Sequence, residues 1–274
     1  MKSVKTSRKR KVFTFLTAIV VILALNYAYN IAASSPLAST PQLIAHRGGK
    51  TYQPENTLAA FKQAIADGVD QLEFDVQMTK DGVLVVIHDE EVDRTTNGSG
   101  LVADLTLAEI QALDAGEGER VPTFAEVIDL AKSAGVDIIP EAKSPHLYPG
   151  IEISMVDAVL SAGYAEHTII QSFNADTLNN FHEVNPDIQL CMLYGLWSFN
   201  NKGPQPGQAA VICPMAEMVL LNPSMIRQAH KSGHQVYIWF GALEKPWLMR
   251  LMLALGADGI MVDDHRSLAE VLGR

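Results

Sequence analysis

Cysteine is nearly absent: the chain has only Cys191 and Cys213, and neither belongs to a CxxC or a Cys/His cluster. A thiolate zinc site is therefore unsupported, and two unpaired thiols are expected, with a disulfide left open should the chain fold outside the cytoplasm. Acidic residues are missing altogether from residues 1–40, whereas Lys2, Lys5, Arg8, Lys9, Arg10 and Lys11 lie there. Of 21 basic residues in total, 15 thus remain to face all 31 acids over the rest of the chain. So acidic a globule repels a phosphate backbone, which argues against a nucleic-acid partner, though a metal ion can still admit one small phosphate ester. Phosphate-binding glycine loops are also missing. His46-Arg47-Gly48-Gly49 follows the first apolar strand pattern, and it is neither GxGxxG nor a Walker loop.

What is present comes in two parts. After the basic head of residues 1–11 runs VFTFLTAIVVILALNYAYNIAA, Val12 to Ala33, without a charge. It approaches the ~20 residues of a spanning helix, and its first part also fits a signal-peptide core. No clean Ala-x-Ala site follows; Ile31-Ala32-Ala33 is the nearest approach. With no polar face in the run, a buried core helix fits poorly, leaving an uncleaved anchor or a cleaved signal peptide. Either keeps the basic head in the cytoplasm and places the rest outside it: single-pass in the membrane, or secreted or periplasmic after cleavage. Residues 34–41 form a small polar linker, and 42–274 are expected to form one domain.

From Gln42 onward, strand patterns alternate with helical ones. Strands are predicted at Gln42–His46, Gln71–Thr79, Val83–His88, Asp137–Ala142, Thr168–Phe173, Ile188–Leu193, Met218–Leu221, Gln235–Phe240 and Gly259–Val262. Such alternation indicates a parallel α/β architecture. Polar residues gathered at many strand ends favour a TIM (β/α)8 barrel over an open sheet. Nine strands for eight places is one too many. Lys80–Gly82 is too short for a crossover, so 71–88 is expected to be a hairpin with one arm outside the barrel order.

The chemistry collects at those strand ends. Glu73 and Asp75 are two apart on a strand and share a face; Glu141 can add a third carboxylate. Three oxygen donors without cysteine suit Mg²⁺ or Ca²⁺. His46 and His88 end apolar strands and can act as a general acid/base pair. Arg47 and Lys143 lie beside them and can hold a phosphate or neutralise the same carboxylates.

HRGG, PENT, EFDV, the DG turn, VIHD with DRTTNGSG, PEAK, QSF and GADGIMVDD, in that order from Leu43 to Asp264, together resemble the glycerophosphodiester phosphodiesterase family. The resemblance implies a TIM barrel that uses one divalent cation to hydrolyse glycerophosphodiesters to glycerol 3-phosphate and an alcohol. Carried over by position, it implies Glu73, Asp75 and Glu141 as metal carboxylates, His46 and His88 as the acid/base pair, and Arg47 and Lys143 as phosphate contacts. Glu55 of PENT would support Arg47, while Gln171, Ser172, Tyr194 and Trp239 would line the pocket. The chain departs from the family pattern at Trp239-Phe240-Gly241 and Asp264-His265, which bear on the alcohol side of the substrate. The aromatic loop Gly195–Gln208 is a candidate cover or membrane-facing rim. Two rival readings accompany this one: a lysophospholipase D acting on lysolipids, and a silent, anchored binding module.

Overall fold

The alternation that begins at Gln42 closes on itself. A computed structural model describes residues 2–34, 40–198 and 209–274, so residues 199–208 of the loop Gly195–Gln208 lie outside the described residues. The strands are β1 (Gln42–Ala45), β2 (Gln71–Met78), β3 (Leu84–Val86), β4 (Asp137–Ala142), β5 (Ile169–Ser172), β6 (Gln189–Tyr194), β7 (Val211–Pro214), β8 (Gln235–Trp239) and β9 (Gly259–Val262). The α-helices are α1 (Lys2–Ala32), α2 (Leu58–Ala66), α3 (Leu107–Gln111), α4 (Phe124–Ala134), α5 (Ile151–Ser161), α6 (Ala175–Val184), α7 (Ala216–Leu221), α8 (Met225–Lys231), α9 (Pro246–Ala254) and α10 (His265–Leu272). Parallel pairing runs β1-β2-β4-β5-β6-β7-β8-β9 and returns to β1, an eight-stranded TIM barrel.

The ninth strand is the hairpin arm. β1 pairs with β2 only at Gln71 and Leu72; farther along the same strand, β3 pairs antiparallel with Val76, Gln77 and Met78. The amide of Ile87 then donates to the Asp75 carbonyl (3.0 Å), which brings the chain back over the barrel mouth. Gln77, fully buried, fixes this return: its Nε2 donates to the carbonyls of His88 (3.0 Å) and Asp89, and its Oε1 accepts from Tyr148 (2.7 Å).

Strand alternation sorts the residues into two cores. Outward-facing Leu72, Phe74 and Val76 of β2 pack with Phe61 of α2 and Phe124 of α4, the Phe74 ring 5.6 Å and 5.8 Å from its two neighbours. Ile44, Ile139, Ile169, Leu193, Val211, Tyr237 and Met261 fill the barrel interior. A third, smaller core of Val85, Ile87, Val92, Val102, Ile110 and Val121 supports the hairpin and the segment after it.

Two sequence expectations are corrected. The sixth barrel strand is β7, Val211–Pro214, and Met218–Leu221 belongs to α7. Four apolar residues carry no period that separates a strand from one helical turn; pairing with β6 and β8 decides it. Cys191 and Cys213, expected to be free, are joined as a disulfide inside the barrel, with their Cα atoms 6.2 Å apart. The β6–β7 register sets Cys191 beside Val211 and Leu193 beside Cys213, so both sulfurs face inward on adjacent strands.

Candidate active site

The HRGG turn carries the first part of the site. Thr57 caps α2 by accepting from the Ala60 amide (3.2 Å), which leaves Asn56 free to turn its amide to Asp75 (2.9 Å). Ahead of it the chain turns sharply: Arg47, Gly48 and Gly49 all have positive φ, at 52°, 81° and 81°. A Cβ on Gly49 would stand 2.2 Å from Nδ1 of His265, so glycine there permits close packing as well as the turn. His265 is buried and pairs with Asp67 (2.7 Å); it supports this turn from behind.

Three carboxylates from two neighbouring strands meet at the mouth. Glu73, Asp75 and Glu141 are all buried, and one oxygen from each lies within 4.8 Å of the others. Glu73 accepts from the Arg47 amide (2.9 Å) and from Gln171 Nε2 (2.7 Å). Asp75 lies 3.3 Å from Arg47 Nε and 3.8 Å from Lys143 Nζ, and Lys143 is also 3.1 Å from Glu141. Burial raises Asp75, but Arg47, Lys143, His88 and the Asn56 amide outweigh it and hold its carboxyl down at about 2. Glu141 goes the other way: burial, helped by Asp75 and Glu73 and opposed by Lys143, pushes it up to about 7. Burial likewise raises Glu73. Three carboxylates against two cations leave a surplus of negative charge, and the donors are all hard oxygens. This set fits a divalent cation of the Mg²⁺ or Ca²⁺ type.

Each histidine is held from behind by a carboxylate. His46 Nδ1 is 2.6 Å from Asp263 Oδ1, with its Nε2 3.9 Å from Glu73. His88 Nδ1 is 2.5 Å from Asp89 Oδ1, and its Nε2 lies 3.1 Å from Lys143 Nζ. Since Lys143 can only donate, Nε2 of His88 accepts and its proton sits on Nδ1. Burial pulls His46 down, but Glu73 and Asp263 raise it on balance above the usual imidazole range. For His88 burial prevails, and Lys143 and Arg47 add to it, so its value falls. Lys50 (3.1 Å) also holds Asp263, and Arg94 (2.5 Å) holds Asp89.

The expected site residues separate by strand parity. A cleft of about 430 Å³ is lined on one side by His46, Arg47, Lys50, Glu73, His88, Glu141, Lys143 and Gln171, and on the other by Phe173, Leu193, Trp197, Trp239, Phe240 and Met261. Asp75 is buried and does not line it. Glu55 is set back from the cleft, where it receives Arg47 (2.9 Å) and Arg94 (2.7 Å) and so joins the two ends of the site. Ser172 and Tyr194 do not line the cleft. Gln171 and Leu193 point inward, so their neighbours point outward: Ser172 bonds the Ala142 carbonyl and the Asn174 amide, and Tyr194 packs into the outer core. Phe173 and Leu193 are the residues that parity would have selected. Asp263 was also readable, two residues beyond inward-facing Met261, as was Asp89, adjacent to His88. Lys50 and Gln77 carried no local signal, because Asp263 and Tyr148, which they meet, are distant in sequence. Arg94 stood in the DRTTNGSG run, five residues from Asp89, but its second partner, Glu55, is 39 residues away.

The sequence profile of the Glycerophosphoryl diester phosphodiesterase family matches residues 46–266. A glycerophosphodiester phosphodiesterase of Caldanaerobacter subterraneus subsp. tengcongensis is 39% identical over 84% of this chain and 97% of its own. The crystal structure of a glycerophosphodiester phosphodiesterase from Agrobacterium tumefaciens aligns with a TM-score of 0.73 at 28% identity, covering 84% of this chain and 99% of that one. A phosphodiesterase of Oleispira antarctica, solved with the product sn-glycerol-3-phosphate, shares the fold at 24% identity and a TM-score of 0.72, over 86% and 98% of the two chains. With its barrel, its histidines and its carboxylate cluster in the matched span, the chain belongs to the glycerophosphoryl diester phosphodiesterase family.

Proposed function

We propose that this chain hydrolyses glycerophosphodiesters to glycerol 3-phosphate and an alcohol, with one divalent cation, from a domain anchored outside the cytoplasm. The observation that carries this reading is the pair of aspartate-held histidines, one beside Glu73 and the other beside Lys143, at the rim of a buried three-carboxylate cluster. The relatives named above supply the reaction class.

Glu73, Asp75 and Glu141 would hold the cation, which supplies charge to a bound phosphate and polarises its oxygens. Arg47 and Lys143 bind the phosphate oxygens and stabilise the charge that develops on them as the diester is attacked. One histidine takes the proton of the attacking water at Nε2 as its oxygen bonds to phosphorus, and the other delivers a proton from Nε2 to the alkoxide oxygen whose bond to phosphorus breaks. Asp263 and Asp89 hold the rings so that both Nε2 atoms face the reacting phosphate. Gln171 orients Glu73, and Glu55 orients Arg47.

Localisation rests on α1 and on the disulfide. Val12–Ala32 is long and apolar enough to cross a membrane, and its most apolar window is wholly unburied. A disulfide inside the barrel suits a compartment outside the cytoplasm.

The second reading, lysophospholipase D, draws on the apolar wall of the cleft. The Phe173 ring lies 5.2 Å from Trp197 and 5.7 Å from Trp239, a surface able to carry an acyl chain. Hydrolysis of glycerophosphocholine and lysophosphatidylcholine at equal concentration separates the two. The first reading predicts the higher kcat/KM on glycerophosphocholine. A preference of tenfold or more for the lysolipid would replace it with the second.

A further inference from the structure

α1 leaves the barrel in a direction that its contacts define. The Tyr27 hydroxyl donates to the Leu220 carbonyl. Asn30, 2% exposed, accepts from Arg227 Nε (3.2 Å), and that guanidinium lies 5.3 Å over the Tyr29 ring. Ser34 reaches the Ala254 carbonyl at 3.5 Å. In a parallel barrel each helix returns from the C-terminal rim of the strands, which bears the site, to the N-terminal rim. Leu220 in α7 therefore stands above Arg227 in α8, and Ala254, the last residue of α9, lies at the lower rim. α1 meets these three in the order Tyr27, Asn30, Ser34. It descends along α7 and α8, so its earlier turns project past the catalytic rim, and from Val12 to Asn26 every residue is exposed.

We propose that the mouth of the barrel rests on the bilayer crossed by α1, through a lipid-contacting rim of Leu196, Trp197, Leu243 and Trp247. The inference rests on α1 being an uncleaved anchor. The rim side chains are 44%, 72%, 41% and 55% exposed, and they include both exposed tryptophans of the described residues. They follow β6 and β8, the two neighbours of β7, whose continuation α7–α8 carries the foot of α1. Tryptophan favours the membrane–water boundary.

Length provides a separate argument. The part of α1 that is both apolar and undocked, Val12 to Leu25, has roughly 14 residues and reaches about 21 Å, whereas the hydrocarbon core is about 30 Å thick. With its last two turns fixed to the domain, the helix spans only if the domain itself makes up about 9 Å. An apolar surface seated 5–10 Å into the headgroup–acyl boundary makes up that distance. The acidic charge of the domain favours a neutral leaflet over an anionic one.

The test uses the full chain in phosphatidylcholine vesicles containing lipids brominated high on the acyl chain, with tryptophan emission as the readout. The prediction is at least twofold quenching of the wild type, with less in Trp197→Phe and in Trp247→Phe. The double variant, whose remaining tryptophan is Trp239 inside the cleft, loses most of it. If the double variant does not fold, the two single variants decide. Quenching equal in wild type and variants, or quenching by aqueous iodide but not by brominated lipid, overturns the proposal. So does membrane-bound protein whose mass lacks the α1 segment. No arm reads hydrolysis, so failure here leaves the phosphodiesterase reading intact, and an inactive protein that shows the quenching leaves this proposal intact.

Discussion

Replacing His46 or His88 with alanine is expected to lower kcat by roughly 10²–10⁴-fold, the usual contribution of a positioned proton donor or acceptor. The fold should survive. Both side chains are partly exposed, at 21% and 28%, so truncation leaves no closed cavity. Their partners are not orphaned either: Asp263 keeps Lys50 at 3.1 Å, and Asp89 keeps Arg94 at 2.5 Å. Each substitution should therefore cost no more than about 1–2 kcal/mol of stability, and cation binding should persist because the carboxylate cluster is untouched. Rate measurement with a urea denaturation curve checks both halves. A variant that turns over at the wild-type rate removes that histidine from the mechanism. One that unfolds makes it a structural residue.

The second large effect links the cation, pH and stability through Glu141. In the cation-free protein its carboxyl keeps its proton up to about pH 7, whereas the ordinary value is near 4.5. Between these limits Glu141 is protonated in the folded chain and ionised in the unfolded one, so its contribution to stability falls as pH rises through that window. The raised His46 adds to this and the lowered His88 opposes it. Asp75 does not counteract this. Its value is about 2, so the stability it contributes is lost only in more acidic solution. A divalent cation binds the ionised cluster and has little to bind once Glu141 is protonated. The melting temperature of the chelated protein should therefore fall between pH 5.5 and 8 by roughly 5 °C or more. Millimolar Mg²⁺ or Ca²⁺ should raise it at pH 8 and leave it nearly unchanged at pH 5.5. Glu141→Gln should flatten the pH dependence and remove most of the cation effect. A melting temperature at pH 8 that no divalent cation changes would remove the metal from this site.

A residue's role was legible in the sequence where its signal was local. The barrel followed from alternation and from charges at strand ends, and the surplus strand announced itself as a link of three residues, too short for a crossover. Glu73, Asp75, His46 and His88 were legible because each ends an apolar run or shares a face with its neighbour. Ser172 and Tyr194 were misplaced because the resemblance identified their strands but not their parity. The β7 strand and the cysteine pair escaped for a common reason: pairing between β6 and β7 determines both, and a single sequence records no cross-strand register. The packing of α1 on α7 and α8 was equally hidden, since Asn30 and Arg227 are far apart in the chain.

The most direct test of the central claim is the appearance of glycerol 3-phosphate from glycerophosphocholine, followed by ³¹P NMR with the full-length protein before and after EDTA and again after Mg²⁺ or Ca²⁺ is restored. The account predicts glycerol 3-phosphate formation that stops on chelation and resumes with the cation. Formation that continues undiminished in EDTA, or an untouched diester in the presence of every cation tried, would contradict it.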